Sequence, residues 1–136
     1  MKLFALFVSG LWFCAFSASS MAADEEKPYQ VDCSSTPCKV ELSIYRAYRA
    51  YSSNCLRCHG EDGVGSSFAP SLLERMKEVD KERFVNSVTH GFTGQVGVMP
   101  AWGENPNVMK HIDGLYAYLK ALSDGALRGG KPERMK

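Results

Sequence analysis

The sequence predicts a small all-α domain of about four helices joined by long loops, and three observations predict it. Apolar residues recur at helical steps near both ends of the central region. Ile44, Tyr48, Tyr51 and Cys55 follow one another by four, three and four, and Val108, Ile112, Leu115, Leu119 and Leu122 by four, three, four and three. Strictly alternating apolar runs, the mark of half-buried strands, are nearly absent. The segments between the helical patterns are rich in glycine, including a Gly91–Asn105 stretch with four of them, which reads as a loop.

The elements follow in order. Residues 24–40 are polar, with two prolines, and read as an irregular N-terminal arm. Glu41 to Asn54 reads as the first helix. Glu61-Asp62-Gly63-Val64-Gly65 is a turn whose residues tolerate positive φ. Ser71-Leu72-Leu73-Glu74 has the form of a capping box and opens a short helix to about Val79. Asp80 can cap the next, from Lys81 to about His90, with Phe84, Val85 and Val88 inward and Gly91 placed to end it. Asn105-Pro106 supplies a cap and first residue for the last helix. Residues 41–125 thus form the folded domain, and Gly125, Gly129 and Gly130 open a loose basic tail over 126–136.

The chain has 136 residues, of which 15 are acidic and 16 are Lys or Arg. Residues 1–23 read as a secretory leader: Lys2, an apolar run from Leu3 to Phe16, then small residues up to Asp24-Glu25-Glu26. Ser20-Met21-Ala22 fits a cleavage signal, with cutting after Ala22 or Ala23. The apolar run is short for a membrane span of ~20 residues, the alternative being an uncleaved anchor. The remainder, about 113 residues, is close to neutral. Its cations are dispersed apart from Arg128, Lys131, Arg134 and Lys136, which argues against nucleic-acid binding.

Of five cysteines, Cys14 lies in the leader. Cys55-Leu56-Arg57-Cys58-His59 is the C-x-x-C-H signature of c-type haem attachment. Two thiols spaced by two residues match two vinyl groups on one porphyrin edge, and the adjacent histidine supplies an axial nitrogen to the iron. Two rivals fit less well. A thioredoxin-like pair would follow a strand, and half a zinc site would need a second close ligand pair. Cys33 and Cys38 enclose Ser34-Ser35-Thr36-Pro37, and Lys39 rather than histidine follows, so a second haem is not expected. In an oxidising compartment the pair reads as a disulfide closing a small loop, with two free thiols as the alternative.

The iron's other axial position has several candidates: Met76, His90, Met99, Met109, His111, Met135 or none. Met99-Pro100 lies in the long glycine-containing loop between two helices, where a chain can fold over the open face and proline stiffens it. Met109 and His111 read as filler and solvated face of the last helix, and His90 as a helix-end residue. Met99 is therefore the expected ligand. Thioether ligation favours ferrous iron relative to a second imidazole and closes the iron to small ligands.

With C-x-x-C-H near the front, Met-Pro some forty residues on, and a last helix holding Leu115, Tyr118 and Leu119, the chain resembles class I cytochromes c. That resemblance implies a small cytochrome c fold around one covalent haem c. It implies that Tyr51 packs against Leu115 and Tyr118 where the first and last helices cross, and that Ala47 lets them approach. It also implies that the Pro70 carbonyl accepts a hydrogen bond from the His59 imidazole. More narrowly, Tyr45-Arg46-Ala47-Tyr48-Arg49, Gly65-Ser66-Ser67-Phe68-Ala69-Pro70-Ser71-Leu72, Val98-Met99-Pro100-Ala101, Glu104-Asn105-Pro106-Asn107-Val108-Met109 and Asp124-Gly125-Ala126-Leu127 resemble the methanol-metabolism-related c-type cytochromes with four cysteines. Cys33 and Cys38 do not align clearly with that group's additional cysteines. The resemblance implies a periplasmic carrier that takes electrons from a quinoprotein alcohol dehydrogenase, which uses pyrroloquinoline quinone, and passes them to a downstream cytochrome or oxidase. Competing readings are a haem enzyme or gas sensor with a displaceable distal ligand, and a haem subunit bound tightly in a larger redox complex.

Overall fold

The computed structural model describes residues 26–136 apart from Val96; the expected leader and its cleavage site lie outside the described residues. The domain is mainly helical, with two small sheets at its margins. Helix α1 spans Leu42–Asn54 and buries Ile44, Ala47, Ala50 and Tyr51, the face that the spacing of apolar residues predicts. Its last bond, from Cys55 N to Tyr51 O (2.8 Å), leads straight into α2 (Leu56–His59). Gly60, at φ 74°, then turns the chain, a conformation that glycine adopts without steric cost.

Local signals fix the next helices. The Ser71 hydroxyl accepts from Glu74 N and opens α3 (Leu72–Arg75). This helix is shorter than expected. Beyond Arg75 the backbone shifts to i→i−3 bonds, Lys77 N to Glu74 O and Glu78 N to Arg75 O, so the segment to Val79 is turns. The Asp80 carboxylate accepts from Arg83 N at 2.8 Å and caps α4 (Lys81–His90), which Gly91 ends at φ 79°.

The last helical stretch is two helices where the continuous apolar stripe predicts one: α5 (Pro106–Met109), capped by the Asn105 side chain, and α6 (Ile112–Ser123). His111 leaves the helical region at φ −118°, ψ 13°, and its N–H reaches back only to Val108 O. The break costs the stripe little, because Val108 and Leu115 are both buried on either side of it.

Helices α1 and α6 cross at the centre of the core. The Tyr51 and Tyr118 rings lie 5.6 Å apart and those of Tyr48 and Tyr118 6.0 Å, within the range of favourable aromatic pairs. Gly114 makes the approach possible. A Cβ there would lie 2.8 Å from Ser43 O and 3.2 Å from the Ala47 Cβ. Ala47 is thus half of a small-residue contact whose other half is Gly114.

Strands are more numerous than the pattern predicts, though each has two residues. Val31–Asp32 (β1) pairs antiparallel with Lys39–Val40 (β2), and β2 pairs parallel with Glu133–Arg134 (β5). Between α4 and α5, Phe92–Thr93 (β3) and Val98–Met99 (β4) form an antiparallel hairpin. The described parts of the arm and tail are mostly irregular, but they are tied to the domain. Arg128 donates to Cys33 O and Ser35 O at 2.8 and 2.7 Å, and Gly130 N donates to the Asp62 carboxylate at 2.9 Å.

A disulfide joins Cys33 to Cys38 at the head of this sheet. A loop this short restricts the unfolded chain modestly, worth about 2 kcal/mol by loop-closure entropy. The Cys33→Ser/Cys38→Ser holoprotein should therefore unfold in urea with about 2 kcal/mol less stability and an unchanged visible spectrum. A loss within experimental error would show that the β1–β2–β5 sheet holds the arm without the link.

Candidate haem site

The site is built where α1 ends. Helix α1 delivers Cys55 at its C-cap, and the single turn of α2 places Cys58 and His59. Cys55 is half-buried, Cys58 exposed and His59 buried, so the motif straddles the surface. Cys55 and Cys58 are not bonded to each other. Burial, then the neighbouring Cys58, push the Cys55 thiol up to about 11. A dithiol redox centre needs the opposite, a thiolate favoured at neutral pH. Among the described residues no group of three or more His, Cys, Asp or Glu is placed to hold a metal ion.

Loop contacts hold the motif rigid. Tyr51 Oη donates to Gly60 O at 2.7 Å, Gly65 N donates to His59 O at 2.7 Å, and Ser66 Oγ donates to Cys58 O. Gly65, at φ 93°, lies so close to the next segment that a Cβ would stand 2.7 Å from Ser71 N. Burial pushes the His59 imidazole below its ordinary value, while the Pro70 carbonyl acts in the opposite direction. His59 Nδ1 is nevertheless buried without a hydrogen bond of regular geometry.

Met99 sits on β4, half-buried, opposite Phe92 of β3. Its strand is clamped on two sides. Gly91 approaches so closely that a Cβ would meet Met99 O at 2.7 Å. Beyond Pro100, Trp102 N and Gly103 N donate to Val88 O and Thr89 O at the end of α4. The hairpin tip comes down on the 66–70 loop, where a Cβ on Gly97 would lie 3.6 Å from Phe68 O. Met76 is 2% exposed in the core. His90 is exposed with Nδ1 3.2 Å from Asn86 O. Met109 and His111 sit at the α5–α6 junction, and Met135 lies in the tail, its N–H bonded to Val40 O.

These residues fit a haem. A buried imidazole whose burial favours the neutral form, two unbonded thiols one turn apart and a thioether on a clamped strand are the donor types that an iron porphyrin takes. The flanking segments carry Val64, Phe68, Phe92 and Val98, which are 55–73% exposed. Large apolar side chains left this open beside such a donor set suit an apolar macrocycle.

Two residues at the site are not revealed by the sequence pattern. Asp62, which reads only as a turn residue, accepts from the buried Tyr118 hydroxyl at 3.3 Å and from Gly130 N. It holds the loop after the motif to both α6 and the tail. Ser66 bonds Cys58 O and accepts from Phe68 N. Their partners are many residues away, apart from Phe68, so neither has a local sequence signal.

A domain of this fold, with one C-x-x-C-H at the end of its first helix, defines the class of c-type cytochromes. Residues 43–119 match the family model described as "Cytochrome C oxidase, cbb3-type, subunit III". The chain is 38% identical over 99 residues to cytochrome c-553I of Paracoccus denitrificans, covering 70% of this chain and 44% of that protein. It is 34% identical over 96 residues to cytochrome c-555 of Methylococcus capsulatus, covering 70% of this chain and 75% of that one. The crystal structure of the c-type cytochrome XoxG from Methylobacterium extorquens AM1 superposes with a TM-score of 0.68 at 39% identity, over 72% of this chain and 62% of XoxG. The chain thus spans less than half of the Paracoccus relative. It belongs to the c-type cytochrome family, and carries one covalently attached haem c.

Proposed function

We propose that this cytochrome is a periplasmic one-electron carrier that takes electrons from a pyrroloquinoline-quinone alcohol dehydrogenase and passes them to a downstream cytochrome or oxidase. In this reading Cys55 and Cys58 hold the haem through thioether bonds, and His59 and Met99 are its axial ligands. The haem supplies a ferric/ferrous couple. The chain's own residues hold that couple still: the clamped Met99 strand and the bonded 60–66 loop leave little room for rearrangement when the charge changes.

The observation that carries the reading is the position of the motif across the surface, with Cys58 exposed and His59 buried beside it. Thioether bonds from Cys55 and Cys58 would hold a haem at the protein surface beside His59, which would suit electron exchange through a brief encounter. Exposed Phe68 and Val98 add apolar surface nearby, and redox encounters use small interfaces. The dehydrogenase rests on the likeness to XoxG and on the motifs shared with the methanol-metabolism group, an argument by analogy. Among the described residues no helix is long and apolar enough to cross a membrane.

Stopped-flow mixing of reduced quinoprotein dehydrogenase with the ferric cytochrome tests the partner. Reduction should keep pace with dehydrogenase turnover and slow as salt is raised if charge steers the encounter. Negligible reduction by every quinoprotein dehydrogenase of the same organism would remove the partner and leave the carrier.

A further inference from the structure

The basic tail has no part in the haem site, yet the structure gives it a defined place. Pairing of β5 with β2 lays residues 131–134 beside the exposed face of α1. Between them runs an open cleft of about 700 Å³, lined among others by Tyr45, Arg46, Arg49, Lys131, Glu133 and Arg134. Four cations therefore face one carboxylate, in a chain whose overall formal charge is only +1.

None of the four cations takes part in an ion pair among the described residues, whose three salt bridges are Lys77–Glu74, Lys81–Asp113 and Lys120–Asp124. Arg46 and Arg49, three apart on a helix, present their charges on one side of it. Burial first, then the neighbouring Lys110 and Arg46, lower the His111 imidazole below its ordinary value.

We propose that this cleft is a docking groove for an acidic, extended segment of a protein partner. Concentrated positive charge on a near-neutral chain is complementary to a run of carboxylates, and charges on both walls of a trough suit several carboxylates along one chain. A single small anion reaches only some of them, and a membrane surface, being flat, does not enter a concave trough. Tyr45, which also lines the cleft, offers a ring against which an aliphatic stem can pack. The groove lies away from the haem attachment. Arg49 precedes Cys55 by six residues of helix, a rise of ~9 Å along the axis. A segment bound here would tether a partner while leaving the Cys58 edge free. The proposal does not depend on which dehydrogenase is the donor.

The test is a titration of ¹⁵N-labelled ferrous holoprotein with a hexaglutamate peptide at low salt, followed by amide shifts. Saturable shifts should map to Tyr45, Arg46, Arg49 and residues 131–134, and weaken with added salt. The variants Arg46→Gln/Arg49→Gln and Lys131→Gln/Arg134→Gln, one from each wall, should each bind about tenfold more weakly. Lys77→Gln, which removes a cation outside the cleft, should bind as the parent does. The visible spectrum of each variant reports an intact haem site. Shifts centred on residues 55–59, or double variants that bind as well as the parent, would overturn the proposal. Inorganic phosphate giving the same shifts with equal affinity would make the cleft a small-anion site instead. Phosphatidylglycerol vesicles that capture the parent but neither double variant, with no peptide binding, would make it a membrane contact.

Discussion

The Met99→Ala holoprotein should lose the sulfur–iron charge-transfer band from its ferric visible spectrum and bind carbon monoxide in the ferrous form. Of the other described candidates, Met76 is buried in the core and His90 is exposed at the end of α4. Met99→His should behave differently. It keeps a ligand on the clamped strand, but imidazole favours ferric iron more than thioether does. The potential should fall by on the order of 0.1 V, a modest part of the ~0.8 V that axial ligation spans. Ferric spectra and a redox titration of the two variants check both statements. A spectrum unchanged in Met99→Ala would take the distal role from Met99.

The second large effect is on stability. Gly114→Val should destabilise the holoprotein by about 3 kcal/mol, the upper range for forcing volume into a packed interior. The added atoms meet Ser43 O and the Ala47 Cβ, a backbone group and a side chain with no rotamer to change. Valine's better helix propensity returns at most ~0.5 kcal/mol of this. For a domain of this size the midpoint of thermal unfolding should drop by roughly 10–20 °C, read by far-ultraviolet circular dichroism. An unchanged midpoint would mean that α1 and α6 can part at their crossing without cost.

These two cases show why some parts of the molecule are legible in its sequence and others are not. Helix α4 is legible because its determinants are its own neighbours: Asp80 caps Arg83 N, and Gly91 ends it. The C-x-x-C-H motif is legible because the chemistry of two thioethers and an axial nitrogen fixes its spacing. Tyr51 is legible as part of the apolar face of α1, but its packing and that of Ala47 against α6 are legible only through resemblance to cytochromes c, and that contact rests on Gly114, which carries no signal until its neighbour across the crossing is known. The break at His111 is hidden because the apolar stripe continues in step across it. The three-stranded sheet is hidden because two-residue strands are too short for an alternation to register, and because β2 and β5 meet only through tertiary structure. Asp62 reads as a turn residue because its two hydrogen-bond partners lie 56 and 68 residues further on.

The β2–β5 pairing also has a kinetic consequence. It joins Lys39 to Glu133 and Val40 to Arg134, contacts spanning most of the domain, whereas the bonds around the C-x-x-C-H turn span fewer than ten residues. Loop closure over so long a stretch is entropically costly until the intervening helices have packed. The long-range β2–β5 pairing is therefore expected late in folding, after the local geometry of the cysteine turn. One wall of the basic cleft belongs to α1 and forms early; the other arrives with β5. The cleft exists only once the chain has closed on itself, so whatever binds there distinguishes a finished domain from one still folding.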